Sequence, residues 1–433
     1  MKLFQKLLLA PAVIGVFTPM TASASEVNLK EVSSYTHSNI EISQDSFKPL
    51  SSANPLLAGG EGLNQSSNEF DTDSFSSTTT LDGKAVFVIG GVDGNLNLDE
   101  LDDNGNSKTS EKVSVAYVYQ MNLNTSFTGD DNLYVRLKTS DGFENFVSKP
   151  GNYHNEAGSH GSVLNVDKIW YTLPLGDKLT VTVGPKIENY YMLAATPSVY
   201  KPKVLKAFRF GGHGAAFGAS TSTGVGLKYV ADNGFASSVT VNSKGAQGTN
   251  GFLTDQDVNK LNAMVAYTAD NYHLSATYTT QRGKFGAFHY FSTDNIDGST
   301  DTDGWAFRAW LRPDETGSAV PSVSLGFDTL SLDAASAGGY TDANGYSIAF
   351  NWSDIVQADD VIGIAIGQPL KGTDNTDPTK KDSDPFLWEA YYSFRPNDSI
   401  EITPGIFGGT DVRGVADKEV DLFGAVLTTT FRF

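Results

Sequence analysis

The chain holds 433 residues, none of them cysteine, and carries a formal charge of −19. That charge argues against a nucleic-acid partner, which calls for a basic face, and the missing cysteines exclude a disulfide scaffold. Mean hydropathy is −0.23, and no apolar run reaches the roughly 18 residues a membrane-crossing helix needs.

The first 24 residues read as an export signal. Lys2 and Lys6 precede a short apolar stretch from Leu7 to Phe17, and Ala22-Ser23-Ala24 supplies an A-x-A cleavage site. Pro11 and Pro19 interrupt the stretch, which is too short to remain as an anchor. Residues 25–75 are rich in Ser, Asn, Asp and Gly without sustained periodicity, and read as a flexible polar segment.

From Ser76 onward the pattern has period two. Val113, Val115, Tyr117, Tyr119, Met121 and Leu123 alternate with Ser114, Ala116, Val118, Gln120, Asn122 and Asn124. A helix would scatter the first six around its circumference, whereas a strand puts them on one face. The same reading predicts strands over 81–92, 111–127, 132–140, 164–174, 179–189, 214–230, 235–244, 260–268, 272–281, 304–312, 321–329, 344–354, 361–368, 385–394, 399–407 and 419–433. The number is even, as single-chain bacterial barrels require.

Connections alternate in length. Tight turns such as 176–178, 232–234 and 269–271 follow long polar loops such as 141–163, 190–213 and 282–303. Brief periplasmic turns and extended outside loops are what an outer-membrane barrel shows. Tyr190, Tyr191, Trp305, Tyr391 and Phe394 fall near strand ends, where an interfacial girdle belongs. The expected fold is therefore all-β: a transmembrane antiparallel β-barrel of about 16 strands over 76–433, in the cell outer membrane and surrounded by its lipid. The last strand alternates Phe423, Ala425, Leu427, Thr429, Phe431 and Phe433 with polar or small residues and ends on an aromatic ring. Such an ending resembles the strand read by the barrel-assembly machinery, with Phe431 and Phe433 as the signal.

Several stretches resemble one family. They are MKLFQKLLLAPA at the start, Phe75-Ser76-Ser77-Thr78-Thr79-Thr80-Leu81 leading to Phe87-Val88-Ile89-Gly90-Gly91, and Gly367-Gln368-Pro369. Tyr392-Ser393-Phe394-Arg395, Ile400-Glu401-Ile402-Thr403-Pro404-Gly405-Ile406 and Thr429-Thr430-Phe431-Arg432-Phe433 complete the set. The chain resembles the cyanobacterial outer-membrane porins of the iron-uptake (Som) type, related to the carbohydrate-selective OprB-type porins. The resemblance implies a water-filled channel for passive diffusion of inorganic ions, iron among them, and of small hydrophilic solutes such as sugars. Members of that family commonly carry a surface-layer-homology domain and a helical spacer between signal and barrel; about fifty polar residues, 25–75, occupy that place here, which leaves open whether that segment contacts the cell wall or plugs the pore. General porins form homotrimers and related sugar porins can be monomers, and both states stay open.

Nothing points to catalysis, and no cofactor is expected. Neither G-x-S-x-G nor a nucleophile–base pair is found, and His37, His154, His160, His213, His273 and His289 lack metal-ligand spacing. His154 and His160 share one glycine-rich loop and are expected to be solvated. Glu100, Asp102, Asn104, Gly105 and Glu111 match part of a calcium-loop spacing, but Lys108 interrupts it and exposed loops use the same residues, so a plain loop is expected.

If the apolar faces meet lipid, the intervening residues line water. Arg136, Lys138, Lys168, Lys186 and Lys228 then fall on neighbouring inward positions of the third to sixth strands, with Arg308 and Arg312 also inward. The long loop 190–213 adds Lys201, Lys203, Lys206 and Arg209, while Glu389 and Glu401 occupy the opposite wall. A constriction with one basic wall selects ions by sign. The competing expectation is a surface-exposed structural or adhesion barrel whose pore is plugged by residues 25–75.

Overall fold

The computed structural model describes residues 78–94, 113–143, 154–157, 161–212, 221–245, 250–254, 257–282, 301–332, 340–375, 384–411 and 421–433. The export signal, the 25–75 segment and the calcium-like spacing from Glu100 to Glu111 lie outside the described residues. The chain divides into two units, residues 1–80 with 126–130 and residues 81–125 with 131–433. In the first, the Ser126 amide donates to the Thr78 carbonyl at 3.0 Å. The second is the barrel.

Among the described residues sixteen strands close into a single antiparallel barrel, each beside its neighbours in the chain and the first paired with the last. They are β1 Thr79–Gly94, β2 Ser114–Thr125, β3 Asn132–Asp141, β4 Asn165–Leu175, β5 Leu179–Glu188, β6 Thr221–Val230, β7 Phe235–Ser243 and β8 Asn259–Thr268. β9 Tyr272–Arg282, β10 Thr302–Leu311, β11 Ser322–Leu332, β12 Tyr340–Ser353, β13 Val361–Asn375, β14 Phe386–Asn397, β15 Ile400–Thr410 and β16 Leu422–Arg432 complete the wall. Every strand expected from the alternation is present. β13 runs past its expected end at residue 368, pairing as far as Tyr340↔Asn375. A register shift at Asn344/Tyr346 sets Pro369 and Leu370 opposite Gly345; a residue without an N–H is tolerated in a bulge.

The period-two pattern separates the two faces. One outward row runs across five strands through Val265↔Ala276, Ala276↔Phe307, Phe307↔Phe327 and Phe327↔Tyr346. Its large members are exposed, and they form part of an apolar band facing lipid. Trp305 lies outward beside Tyr278, with ring centroids 5.2 Å apart. Turns hold the register: Gly234 has φ +88°, and a Cβ there would sit 2.3 Å from the Thr268 carbonyl oxygen.

Closure is made at the carboxy terminus. The Gly83 amide donates to the Phe433 carbonyl at 2.7 Å, and the Phe433 amide returns a bond to Gly83. Phe431 packs against Phe87 at 5.5 Å and Phe433 stacks on Tyr119 at 5.8 Å, both on the outer face. Phe307→Arg, at the middle of its strand, is expected to cost about 2–4 kcal/mol of stability in lipid, and Leu311→Arg near the rim about 1 or less. Reversible urea unfolding in phospholipid vesicles measures both.

Candidate functional site: a basic cavity inside the barrel

The connection between β5 and β6 folds into the lumen instead of outward. It opens with a 3-10 turn at Asn189–Met192 and carries a second at Lys206–Gly211. Along the way it is tied to successive strands. The Ala194 amide donates to Ser238 Oγ on β7, Trp310 Nε1 on β10 to the Thr196 carbonyl at 3.0 Å, and the Tyr200 amide to Ser324 Oγ on β11. Ser347 Oγ on β12 donates to the Gly211 carbonyl at 2.6 Å, and Tyr391 Oη on β14 to the Lys201 carbonyl at 2.9 Å.

Two charged residues do most of the holding. Glu389 is fully buried; it accepts a hydrogen bond from Tyr200 Oη at 2.6 Å and from the backbone amides of Lys203, Val204 and Leu205. Consecutive amides converging on a carboxylate form an anion nest. Arg308, also buried, holds Asp328 through both carboxylate oxygens at 2.7 and 2.9 Å and donates from Nε to the Phe210 carbonyl at 2.8 Å. Breaking such a pair leaves a buried charge unpaired, at a cost of about 3–5 kcal/mol.

The wall beneath the loop is apolar and small. Tyr200, Val204, Leu205 and Phe208 form one core with Ala343, Ala349, Ala365, Leu387 and Phe407 of the barrel. At Gly326 a Cβ would fall 1.4 Å from the Gly211 carbonyl oxygen, so the loop seats on β11 only because that position has no side chain.

The space left open is a cavity of about 900 Å3. Among the described residues its lining carries ten Lys or Arg and four carboxylates. Arg136 pairs with Asp167, and Lys168 pairs with Glu188 at 2.9 Å and with Asp167 at 3.7 Å. Lys84 pairs with Glu156 at 2.6 Å, and Glu401 holds Lys203 at 2.6 Å and Arg432 at 3.1 Å. Burial alone raises Glu156, but the Lys84 ammonium, helped by Lys138 and Arg209, holds it down at about 2. Arg209 donates to Asn155 Oδ1. Lys138, Lys201, Lys206 and Lys228 line the cavity without a carboxylate partner among the described residues.

Several expected positions differ. Lys186 is not in the cavity. Pro185 shifts the register so that Lys186 pairs with outward Ile169, and its ammonium donates to the Val166 carbonyl at 2.7 Å. Arg308 and Glu389 point inward as expected, but they anchor the loop and do not border the cavity. Arg312 is exposed and donates to the Asp270 carbonyl beside a turn. Glu401 lies on β15, only β16, β1 and β2 away from β3, so it borders the basic face instead of opposing it. Tyr190, Tyr191 and Tyr391 belong to the lumen, not to the outer girdle. His154 is buried, not solvated, packing its ring 5.6 Å from Phe143. Asp167 was missed because alternation puts it outward; a bulge opposite Arg136 brings both Asp167 and Lys168 inward.

The clamp makes a testable claim. Glu389→Ala leaves buried donors unpaired, each costing about 1–3 kcal/mol, and is expected to release the 198–205 segment from the wall. Single-channel conductance in planar bilayers should rise, with Glu389→Gln intermediate; unchanged conductance would show that the loop does not depend on this residue.

Comparison with known proteins agrees with this architecture. A structure of OprB from Pseudomonas putida superposes with a TM-score of 0.57, at 13% identity, over 82% of this chain and 94% of the other. A mutant of the Rh. blastica porin gives 0.50, at 12% identity, over 82% of this chain and 100% of the other. An uncharacterised protein of Synechocystis sp. is 25% identical over 77% of this chain and 65% of its own length. An uncharacterised protein of Nostoc sp. is 23% identical over 86% and 68%. The chain thus spans about two thirds of the length of these relatives. Residues 56–433 match the model of the carbohydrate-selective porin, OprB family, and with a closed sixteen-strand barrel around an inward loop the chain belongs to that family of outer-membrane porins.

Proposed function

We propose that the protein is a passive outer-membrane channel for sugars and other small hydrophilic solutes, with a narrow part that favours anions. The observation that carries the reading is the ten-to-four excess of basic over acidic side chains among the described residues around the cavity, in a chain whose total is −19. Fixed charge along a confined path selects by sign, and low-dielectric walls focus its field. Iron, in keeping with the resemblance to the Som-type porins, would enter as an anionic chelate and not as a bare cation. Export by cleavage after Ala24, and recognition of Phe431 and Phe433 during assembly, belong to the same reading.

Reversal potentials in a potassium chloride gradient test the sign. The wild-type channel is expected to prefer chloride, and Lys201→Gln, Lys203→Gln and Lys206→Gln together to cut that preference severalfold. Cation preference in both proteins would sink the reading. Liposome swelling with sugars of increasing size tests passage itself, and a barrel plugged by its N-terminal segment would give none.

Titration supplies a second check. Burial pushes the Lys206 ammonium down to about 8, and Arg209 pushes in the same direction. Lys206 is then mostly charged at pH 7 and mostly neutral at pH 9. Anion preference should fall as pH rises through about 8, below the range where a solvated lysine titrates, and Lys206→Gln should reduce that step.

A further inference from the structure

A second, smaller cavity lies on the lumen wall of β3 to β6, toward the short-turn end of the barrel. It measures about 260 Å3, and its lining includes Tyr134, Trp170, Tyr191, Thr180, Thr182 and Lys228. At about 30 Å3 per water that is the space of roughly nine waters, which suits one sugar ring and not a chain. We infer that this cavity is a binding subsite for a monosaccharide carrying an acid group. The inference rests on the channel reading above and adds a substrate class to it.

The register builds the pocket from adjacent inward positions: Tyr134↔Trp170, Thr172↔Thr182, and Thr180↔Lys228. Tyr134 stacks on Trp170 at 4.4 Å, and the Tyr191 ring lies 5.1 Å from Trp170. Arg136 Nη1 donates to Tyr191 Oη at 3.0 Å, which fixes that ring although it is 43% exposed. Tyr191 and Lys228 line both this cavity and the larger one, so the two cavities adjoin at these side chains.

Each part suits a different part of the ligand. Trp170 is buried against Tyr134, so the exposed Tyr191 ring is the aromatic face for the apolar C–H side of a pyranose, while a few placed polar groups orient it. Neither the Lys228 ammonium nor the Thr180 hydroxyl has a partner among the described residues. An unpaired ammonium beside a sugar-sized pocket fits a carboxylate or phosphate substituent, through a charge-assisted hydrogen bond.

Current block in planar bilayers by glucose and by glucuronate tests the assignment on the full-length channel. Glucuronate is expected to half-block at about one tenth the glucose concentration, the effect of a single charge-assisted hydrogen bond. Lys228→Gln should abolish the difference, and Tyr191→Leu should raise the half-blocking concentration of both sugars. A difference that persists in Lys228→Gln overturns the subsite, since the larger basic cavity would then be its source. Open channels that neither sugar blocks, in a protein whose liposomes swell in both, also overturn it and leave the channel reading intact. No conductance and no swelling would instead remove the channel reading itself.

Discussion

Hydrocarbon offers no partner for a backbone N–H or C=O, and every other feature of this barrel follows from that constraint. Each unpaired group costs several kcal/mol there, so a sheet can cross a membrane only if it has no edge. β1 meets β16 through eleven register pairs from Lys84↔Arg432 to Gly94↔Leu422, and the terminal Phe433 exchanges two backbone bonds with Gly83. The last residue of the chain therefore completes the wall. Once the sheet is closed, alternate side chains must face an interior too wide for them to fill, and what occupies it becomes a separate problem.

The protein divides that interior by giving its wall two textures. On β12 and β13 the inward positions include Ala343, Gly345, Ser347, Ala349, Gly363, Ala365 and Gly367, and a backbone segment can approach closely there. On β3 to β6 they include Arg136, Lys138, Lys168, Trp170 and Lys228, which no apolar loop could cover without stranding charge. The loop accordingly buries its 200–208 part on the first wall; on the second, Tyr191 and Met192 pack beside Trp170 while the charged positions keep an open cavity in front of them. Its apolar residues bury Val204, Leu205 and Phe208 against the barrel, and its cations Lys201, Lys206 and Arg209 remain on the open side. One segment thus narrows the path and supplies part of its charge.

Strand positions were legible in the sequence because period two needs only neighbours at i and i+2, and these are local. The inward row of β2 and the outward row ending in Phe433 could be read directly. What failed to show was every event that changes parity. One extra residue at Pro185 turned Lys186 outward and brought Ile187 inside; another beside Lys168 carried Asp167 into the cavity. Loop aromatics were equally opaque: Tyr190 and Tyr191 sit at a strand end in sequence, yet the chain turns inward there. A usable signal did exist for the loop's resting place in the run of Ala and Gly at inward positions of β12 and β13. Its meaning depends on a partner 136 residues away in sequence, from Gly211 to Ser347, and no local pattern reports that.

The same geometry explains how an acidic protein can present a basic path. At physiological ionic strength charges in water are screened beyond about 8 Å, so carboxylates elsewhere on the molecule contribute little to the potential inside. Within the cavity separation and burial matter more than totals. Asp167, Glu188 and Glu401 are each held by at least two cations, which removes them as attractive points for a passing cation. Among the described residues Lys138, Lys201, Lys206 and Lys228 make no ion pair with a carboxylate. The paired residues stiffen the wall, and the unpaired ones set its field; a solute meets the second group, whatever the sum over the chain.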